Sequence, residues 1–181
     1  YLEYVEDDDH INGATLLARF PNLIVTRTFS KVYGLAAVRF GYGASSPAFA
    51  DLLNRARQPF NVNSLAMAAS LAALEDDDYV NESVALNRAG MAQMTEGLTR
   101  LGYDFIPSAG NFVAFDSAEP GNDLFQRMLR EGVIVRAIAE YGLPNHVRVS
   151  IGLESENERF LSVLAKVGSH ARPKSTHQAE S

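Results

Sequence analysis

Hydrophobic and polar residues follow a pattern along this chain that divides it into two α/β parts. In the first part, a short apolar and β-branched run predicts a buried strand, and helical spacing predicts the elements around it. The predicted elements are a helix, two strands and two further helices, at residues 15–20, 23–28, 39–43, 48–57 and 65–74. Ser46 and Pro47 indicate the start of the second of these helices, and Asn63 caps the third.

A long amphipathic helix over residues 79–101 opens the second part, after three acidic residues that suit the positive end of a helix dipole. Gly102 ends it, and strand and helix patterns then alternate. The predicted strands are at residues 104–105, 112–115, 133–136 and 147–151, and the predicted helices at 123–130 and 154–167. We therefore predict two α/β regions, the first ending near residue 75 and the second spanning 76–168, followed by a disordered tail at 169–181.

Composition and charge narrow the class of protein. Of the 181 residues, 46% are hydrophobic and 21% are charged, and the net charge of −6 disfavours nucleic acid or an anionic membrane as a partner. The chain has no cysteine, which excludes a disulfide framework and a thiolate nucleophile, and its four histidines lack the spacing of metal ligands. No apolar run is long enough to span a bilayer, so we expect no membrane partner.

The first residues of the chain bear on its location and completeness. Residues 1–5 have neither the basic start nor the apolar stretch of a signal peptide, so we expect a cytoplasmic protein. Tyr1 stands where an initiator Met is expected, which leads us to expect that the chain begins inside a longer protein.

The segment at residues 28–42 contains the residues with the clearest potential for chemistry. Lys31 directly follows the predicted buried strand, and a Lys held in a dry pocket there is a nucleophile suited to carbonyl chemistry. The hydroxyls of Thr28 and Ser30 and the guanidinium of Arg39 together suit a phosphate dianion. The alternative is an ordinary surface lysine, since most lysines that follow a strand lie in solvent.

This segment resembles the cofactor-lysine motif of the fold-type-I pyridoxal-phosphate aminotransferases. The shared order is hydroxyl residues, Lys31, Gly-Leu-Ala at 34–36, Arg39 and then Gly-Tyr, with a departure at Ala37, where many relatives have Gly. The resemblance implies that Lys31 bonds covalently to pyridoxal 5′-phosphate, and that Ser30 and Arg39 bind its phosphate. Thr28 is a weaker phosphate candidate.

The start of the chain resembles a second motif of the same family. Tyr1, with the residues after it, is similar to the end of the Asp-Glu-Ala-Tyr motif, whose Tyr donates a hydrogen bond to the cofactor's 3-oxygen. The alternative for Tyr1 is a frayed terminal aromatic residue, and the sequence alone favours that alternative.

Further segments resemble the histidinol-phosphate aminotransferase branch of this family, at residues 59–66, 108–113, 132–136 and 147–152. The resemblance implies that Arg148 binds the anionic group of the substrate and that Arg136 assists it. The alternative for each of these arginines is an ion pair with a surface carboxylate. Asn111 belongs either to the substrate pocket or to the backbone pairing at the start of a strand, and we slightly favour the structural role.

The resemblance also implies a fold and a reaction. The fold is the carboxy-terminal half of the aspartate aminotransferase-like fold, with residues 1–75 in the large cofactor-binding domain and 76–168 forming the small domain. The reaction is amino transfer from histidinol phosphate to 2-oxoglutarate, giving imidazole-acetol phosphate and glutamate, in a homodimer. Because the family's other half is missing, we expect this chain alone to bind the cofactor poorly and not to catalyse.

Two other functions remain open from the sequence. In the first, the protein uses the same cofactor for another reaction, as an aromatic or other amino-acid aminotransferase or as a threonine-phosphate decarboxylase. The other is a non-catalytic structural module, against which the order of hydroxyl residues, Lys31 and Arg39 argues.

Overall fold

The computed structural model describes residues 1–6 and 10–169, so the predicted tail at 169–181 lies outside the described residues except for Ser169. The chain divides into two compact units, here called unit 1 (Tyr1–Ala85) and unit 2, which begins at Leu86. The boundary falls within one long helix, α3 (Asp77–Arg100). Among the described residues, no helix combines the length and the apolar character needed to cross a membrane.

Unit 1 is built on two antiparallel strands and the helices that follow them. Its regular elements are β1 (Ile24–Thr28), β2 (Gly41–Ser45), α1 (Pro47–Ala56), α2 (Ser64–Leu74) and the first part of α3. The strands pair in register from Ile24 opposite Ser45 to Thr28 opposite Gly41. The Asn63 side chain accepts a hydrogen bond of 2.8 Å from the Ala66 amide, so Asn63 caps α2 as the sequence predicts.

Unit 1 differs from the sequence prediction at three places. The predicted buried strand is not buried: its side chains are alternately exposed and half-buried, and among the described residues β1 pairs with β2 alone. The strand predicted from residue 39 begins at Gly41, since Arg39 adopts a left-handed conformation with φ of 59°. The helix predicted at 15–20 is a 3-10 turn over Gly13–Leu16, where the Asn12 side chain accepts from the Ala14 amide.

Unit 2 is a four-stranded antiparallel sheet with helices packed on one face. The strand order is β3-β4-β6-β5, with β3 at Phe105–Ile106, β4 at Phe112–Asp116, β5 at Arg136–Ala137 and β6 at His146–Ser150. The helices are the remainder of α3, α4 (Gly121–Arg130) and α5 (Glu154–Val167). The core residues from the helices are Met94, Leu98, Leu124, Met128, Phe160, Leu161, Val163 and Leu164.

The two faces of this sheet carry different residues because side chains alternate along a strand. Val113 and Phe115 of β4, with Val147 and Val149 of β6, are buried in the core. The residues between them project from the opposite face, which we call the outer face. Arg148 therefore lies on the outer face.

The sequence prediction for unit 2 is wrong mainly at residues 133–136. Of these, only Arg136 is in a strand, since the Val133 amide donates to the Met128 carbonyl at 3.0 Å and so closes the end of α4. Gly132 follows α4 with φ of 77°, a conformation that glycine adopts without steric cost.

Candidate functional site

Lys31 begins a tight turn shortly after β1, which ends at Thr28. The Gly34 amide donates to the Lys31 carbonyl at 2.9 Å, and the Leu35 amide donates to the Phe29 carbonyl at 2.9 Å. Gly34 has φ of 67°, which a residue with a Cβ adopts only with strain. The backbone of this turn therefore requires a glycine at position 34.

Buried residues on both sides of Lys31 fix the backbone of the turn. Phe29 and Val32 are each only 2% exposed, whereas Lys31 between them is half-buried. The Phe29 ring contacts the rings of Tyr33 and Phe40, with centroid distances of 4.9 and 5.2 Å. The packing orders the segment without burying the lysine amine completely.

The Lys31 amine lies over the ring of Tyr1, with Nζ 4.9 Å from the ring centroid. This is a cation–π distance, and it brings together two residues that the motifs predict to act on one ligand. Among the described residues, no carboxylate forms an ion pair with Lys31. The amine is therefore not held as the partner of a described acidic side chain.

Tyrosine hydroxyls near this turn stay protonated over a wide pH range. Burial raises the pKa of the Tyr33 phenol, and the negative charge of Glu3 raises it further. Burial also raises the pKa of Tyr4, with additional contributions from Tyr79 and Glu3. At neutral pH these hydroxyls are hydrogen-bond donors.

Of the three predicted phosphate-binding residues, two are joined by a hydrogen bond and the third bonds elsewhere. The Thr28 hydroxyl accepts a hydrogen bond of 3.1 Å from the Ser30 amide, so these two residues lie together. The exposed Arg39 donates from Nη1 to the Ala36 carbonyl at 2.8 Å. Within the described part of the chain, no hydrogen bond joins Arg39 to Thr28, Ser30 or Lys31. A phosphate role for Thr28, Ser30 and Arg39 stays a prediction.

In unit 2, the two predicted substrate arginines lie opposite each other. Arg136 of β5 and Arg148 of β6 are direct cross-strand partners, so their side chains project from the same outer face. The Arg148 guanidinium lies 4.8 Å from the centroid of the Phe112 ring. The structure thus brings two guanidinium groups and an aromatic ring together on one surface.

Glu140 is a member of this surface that the sequence analysis did not single out. Its Oε1 accepts a hydrogen bond of 2.8 Å from Arg136 Nη2, which also lies 3.5 Å from the Tyr141 hydroxyl. The hydrogen bond from Arg136 lowers the pKa of the Glu140 carboxyl, and the charge of Arg148 adds to this. No signal in the sequence points to it, because its place depends on the turn after β5 and on the pairing of β5 with β6.

Asn111 is half-buried and immediately precedes β4. Its carbonyl accepts a hydrogen bond of 2.9 Å from the Ile151 amide. The carbonyl before it, on Gly110, accepts from the Asn87 side chain at 3.2 Å. These contacts give its backbone a structural role, and a role for its side chain with substrate stays a prediction.

Comparison with known proteins identifies relatives over most of the chain. The family described as aminotransferase class I and II matches residues 1–164. Histidinol-phosphate aminotransferase 2 of Pseudomonas fluorescens Pf-5 is 60% identical over 92% of this chain and 45% of its own length. The enzyme of the same name from Pseudomonas aeruginosa PAO1 is 58% identical over 94% of this chain and 46% of its own length. The chain thus spans less than half the length of these curated relatives.

A solved structure supports the same assignment. The histidinol-phosphate aminotransferase of Sinorhizobium meliloti, in complex with pyridoxal-5′-phosphate, superposes with a TM-score of 0.83 and 30% identity. The alignment covers 92% of this chain and 46% of that one. The predicted fold class is therefore confirmed, as an α/β chain that covers about half of the aminotransferase fold. On its sequence and its structure, this chain belongs to the aminotransferase class I and II family.

Proposed function

We propose that this chain is part of a pyridoxal-phosphate-dependent aminotransferase that interconverts histidinol phosphate and 2-oxoglutarate with imidazole-acetol phosphate and glutamate. Relatives named histidinol-phosphate aminotransferase at up to 60% identity support this reaction. The observation that carries the proposal is the contact of two motif residues: the amine of the half-buried Lys31 lies 4.9 Å from the centroid of the Tyr1 ring.

The residues around Lys31 fit the proposed cofactor. The Lys31 amine has no described carboxylate as an ion-pair partner, so no described salt bridge must break before it bonds to an aldehyde. The Ser30 and Thr28 hydroxyls and the Arg39 guanidinium are donors of the kinds that bind phosphate. When bound, pyridoxal phosphate supplies an aldehyde for amine exchange and a ring that accepts electrons from the substrate Cα.

The residues of this chain then have distinct roles. Lys31 Nζ removes the proton from the substrate Cα and later returns a proton, acting as both base and acid. Tyr1 would orient the cofactor by donating a hydrogen bond to it. Arg148, assisted by Arg136, binds the anionic group, which is a phosphate in one substrate and a carboxylate in the other.

The domains, assembly and location are proposals of the same kind. We assign residues 1–75 to the large cofactor-binding domain and 76–168 to the small domain. We further propose a homodimeric, cytoplasmic enzyme. The exposed apolar side chains of unit 1, among them Leu65 and Leu71, support an additional packing partner. Analytical ultracentrifugation of the full-length protein tests the dimer.

Borohydride trapping tests the assignment of Lys31. We expect reduction of the full-length protein with pyridoxal phosphate to leave a stable label at Lys31, located by peptide mapping. Lys166 is an internal control in the same chain, since it is 65% exposed and paired with Glu131. A label on Lys166 equal to that on Lys31, or full labelling of the Lys31→Arg variant, would refute the assignment.

Product analysis tests the reaction itself. With histidinol phosphate and 2-oxoglutarate, we expect glutamate to form without release of carbon dioxide. Release of carbon dioxide from threonine phosphate would instead indicate the decarboxylase. Faster turnover of aromatic amino acids would indicate an aromatic aminotransferase.

A further inference from the structure

The outer face of the unit 2 sheet places like charges directly opposite each other. Arg136 and Arg148 are cross-strand partners, an arrangement that is unfavourable unless an anion lies near the two charges. Glu140 provides one negative charge within the chain, 2.8 Å from Arg136. The pair of arginines is thus partly neutralised.

The position of Glu140 follows from the turn after β5. It is the middle residue of the 3-10 turn Ala139–Tyr141, which Gly142 ends with φ of 78°. The turn places the Glu140 carboxylate on the Nη2 atom of Arg136, and the side chains are about equally exposed, at 51% and 52%. An exposed carboxylate in this place is accessible to exchange with an anion from solution.

Arg148 carries a positive charge on this surface that no described acidic side chain pairs with directly. Asp116 also lies on the outer face, but its Oδ1 accepts a hydrogen bond of 2.8 Å from the Ala118 amide, and Arg148 has no ion-pair partner within the part of the chain that the structure describes. Its contact with Phe112 covers one face of the guanidinium. Stacking on a ring leaves the N–H edge of a guanidinium able to donate to an anion.

We propose that Glu140 is an internal competitor at this anion site, which holds Arg136 when no ligand is bound and is displaced when a phosphate or carboxylate bridges Arg136 and Arg148. The inference rests on the proposed function, because it takes the two arginines as the binding site for the substrate's anionic group. It adds that Glu140 lowers the affinity of that site and favours product release.

Titration with inorganic phosphate, followed by NMR of the isotope-labelled chain at neutral pH, tests the inference. We expect Glu140→Gln to bind phosphate about two- to fivefold more tightly, the fold-change expected when an exposed ion pair no longer has to be broken. Glu131→Gln is the matched control, because it removes the same charge from another ion pair of unit 2, with Lys166. The control should leave the dissociation constant unchanged.

A double variant distinguishes competition between Glu140 and phosphate from a structural effect of the substitution. In the Arg136→Gln variant, the added Glu140→Gln substitution should give no gain, since the contact that Glu140 competes for is already absent. Unchanged phosphate binding in the Glu140→Gln single variant would overturn the proposal. Weaker binding would also overturn it, because it would show that Glu140 orients Arg136 for the ligand. If Arg148→Gln leaves phosphate binding intact, the arginine site of the proposed function fails instead.

Discussion

The two units of the chain differ in how completely they bury their apolar side chains. The buried apolar cluster lies entirely in unit 2, whereas the fully buried apolar residues of unit 1 are Phe29, Val32 and Ala66. In unit 1, Phe60 is 96% exposed and Leu65 is 78% exposed. Unit 2 therefore has a core of its own, whereas unit 1 leaves several large apolar side chains exposed.

This difference separates the two halves of the candidate chemistry. Lys31 depends on short-range features, namely a turn, a glycine and a few aromatic contacts. Arg148 depends on the whole core of unit 2, because its strand is held by residues buried on the opposite face. The position of the amine should therefore be sensitive to local changes, and that of the guanidinium to changes in the core.

The largest effect is expected when the core of unit 2 is disrupted. Phe115 is completely buried, so Phe115→Ala should reduce the free energy of unfolding of unit 2 by about 3–5 kcal/mol. Denaturant unfolding and hydrogen exchange of the β4 and β6 amides measure this loss. Phe29→Ala removes the same ring type from unit 1 and should leave those amides protected. Equal loss of protection in both variants would contradict the separation of the units.

A smaller effect is expected from straining the Lys31 turn. Gly34→Ala places a Cβ at φ of 67° and 2.7 Å from the Tyr79 hydroxyl, which is the movable end of its side chain. The left-handed backbone then dominates the cost, about 1–2 kcal/mol, and borohydride labelling of Lys31 should fall. Gly43→Ala is the control in the same unit, because its Cβ would lie at an ordinary 3.6 Å from Ile24. Unreduced labelling in Gly34→Ala would show that the turn does not position the amine.

The smallest effect is expected at an ion pair of unit 2. Burial raises the pKa of Glu119, but hydrogen bonds from Arg127 and Ser169 lower it by more, so the pKa of the folded carboxyl is below its ordinary value. A lowered pKa contributes stability above the unfolded-state value of about 4.3, and this stability is lost as the pH falls through the folded value. Glu119→Gln should therefore destabilise unit 2 at neutral pH by about 1 kcal/mol, because the neutral amide loses the charge that Arg127 and Ser169 stabilise.

Urea unfolding at neutral pH and at pH values below the carboxyl titration measures this dependence. The difference between the wild type and Glu119→Gln should shrink as the pH falls. A difference that is the same at both ends of the range would mean that the Arg127 contact does not depend on the carboxylate charge.

The sequence predicts the locally determined elements well. The Asn63 cap and the start of α2 follow from residues adjacent in sequence, and α5 occupies the predicted residues because its apolar positions recur with helical spacing. The Lys31 motif likewise lies on consecutive residues. Its resemblance to a family was therefore visible before the structure.

The features that the sequence missed depend on backbone geometry and on contacts between strands. The apolar run at 133–135 looks like a strand, yet the amide of Val133 is taken by the end of α4. The left-handed conformation of Arg39 leaves no mark in the hydrophobic pattern. Glu140 gains its interest only because pairing of β5 with β6 places Arg148 beside Arg136.

The alternation of faces along β6 restricts how this family member can vary in length. Because Val147 and Val149 are buried while Arg148 faces outward, one inserted or deleted residue within the strand would exchange their sides. The guanidinium would then enter the apolar interior and a valine would take its place outside. Insertions or deletions between His146 and Ser150 should therefore be tolerated only in steps of two residues. The turn before β6 should accept one inserted or deleted residue, because no alternation of faces is at stake there.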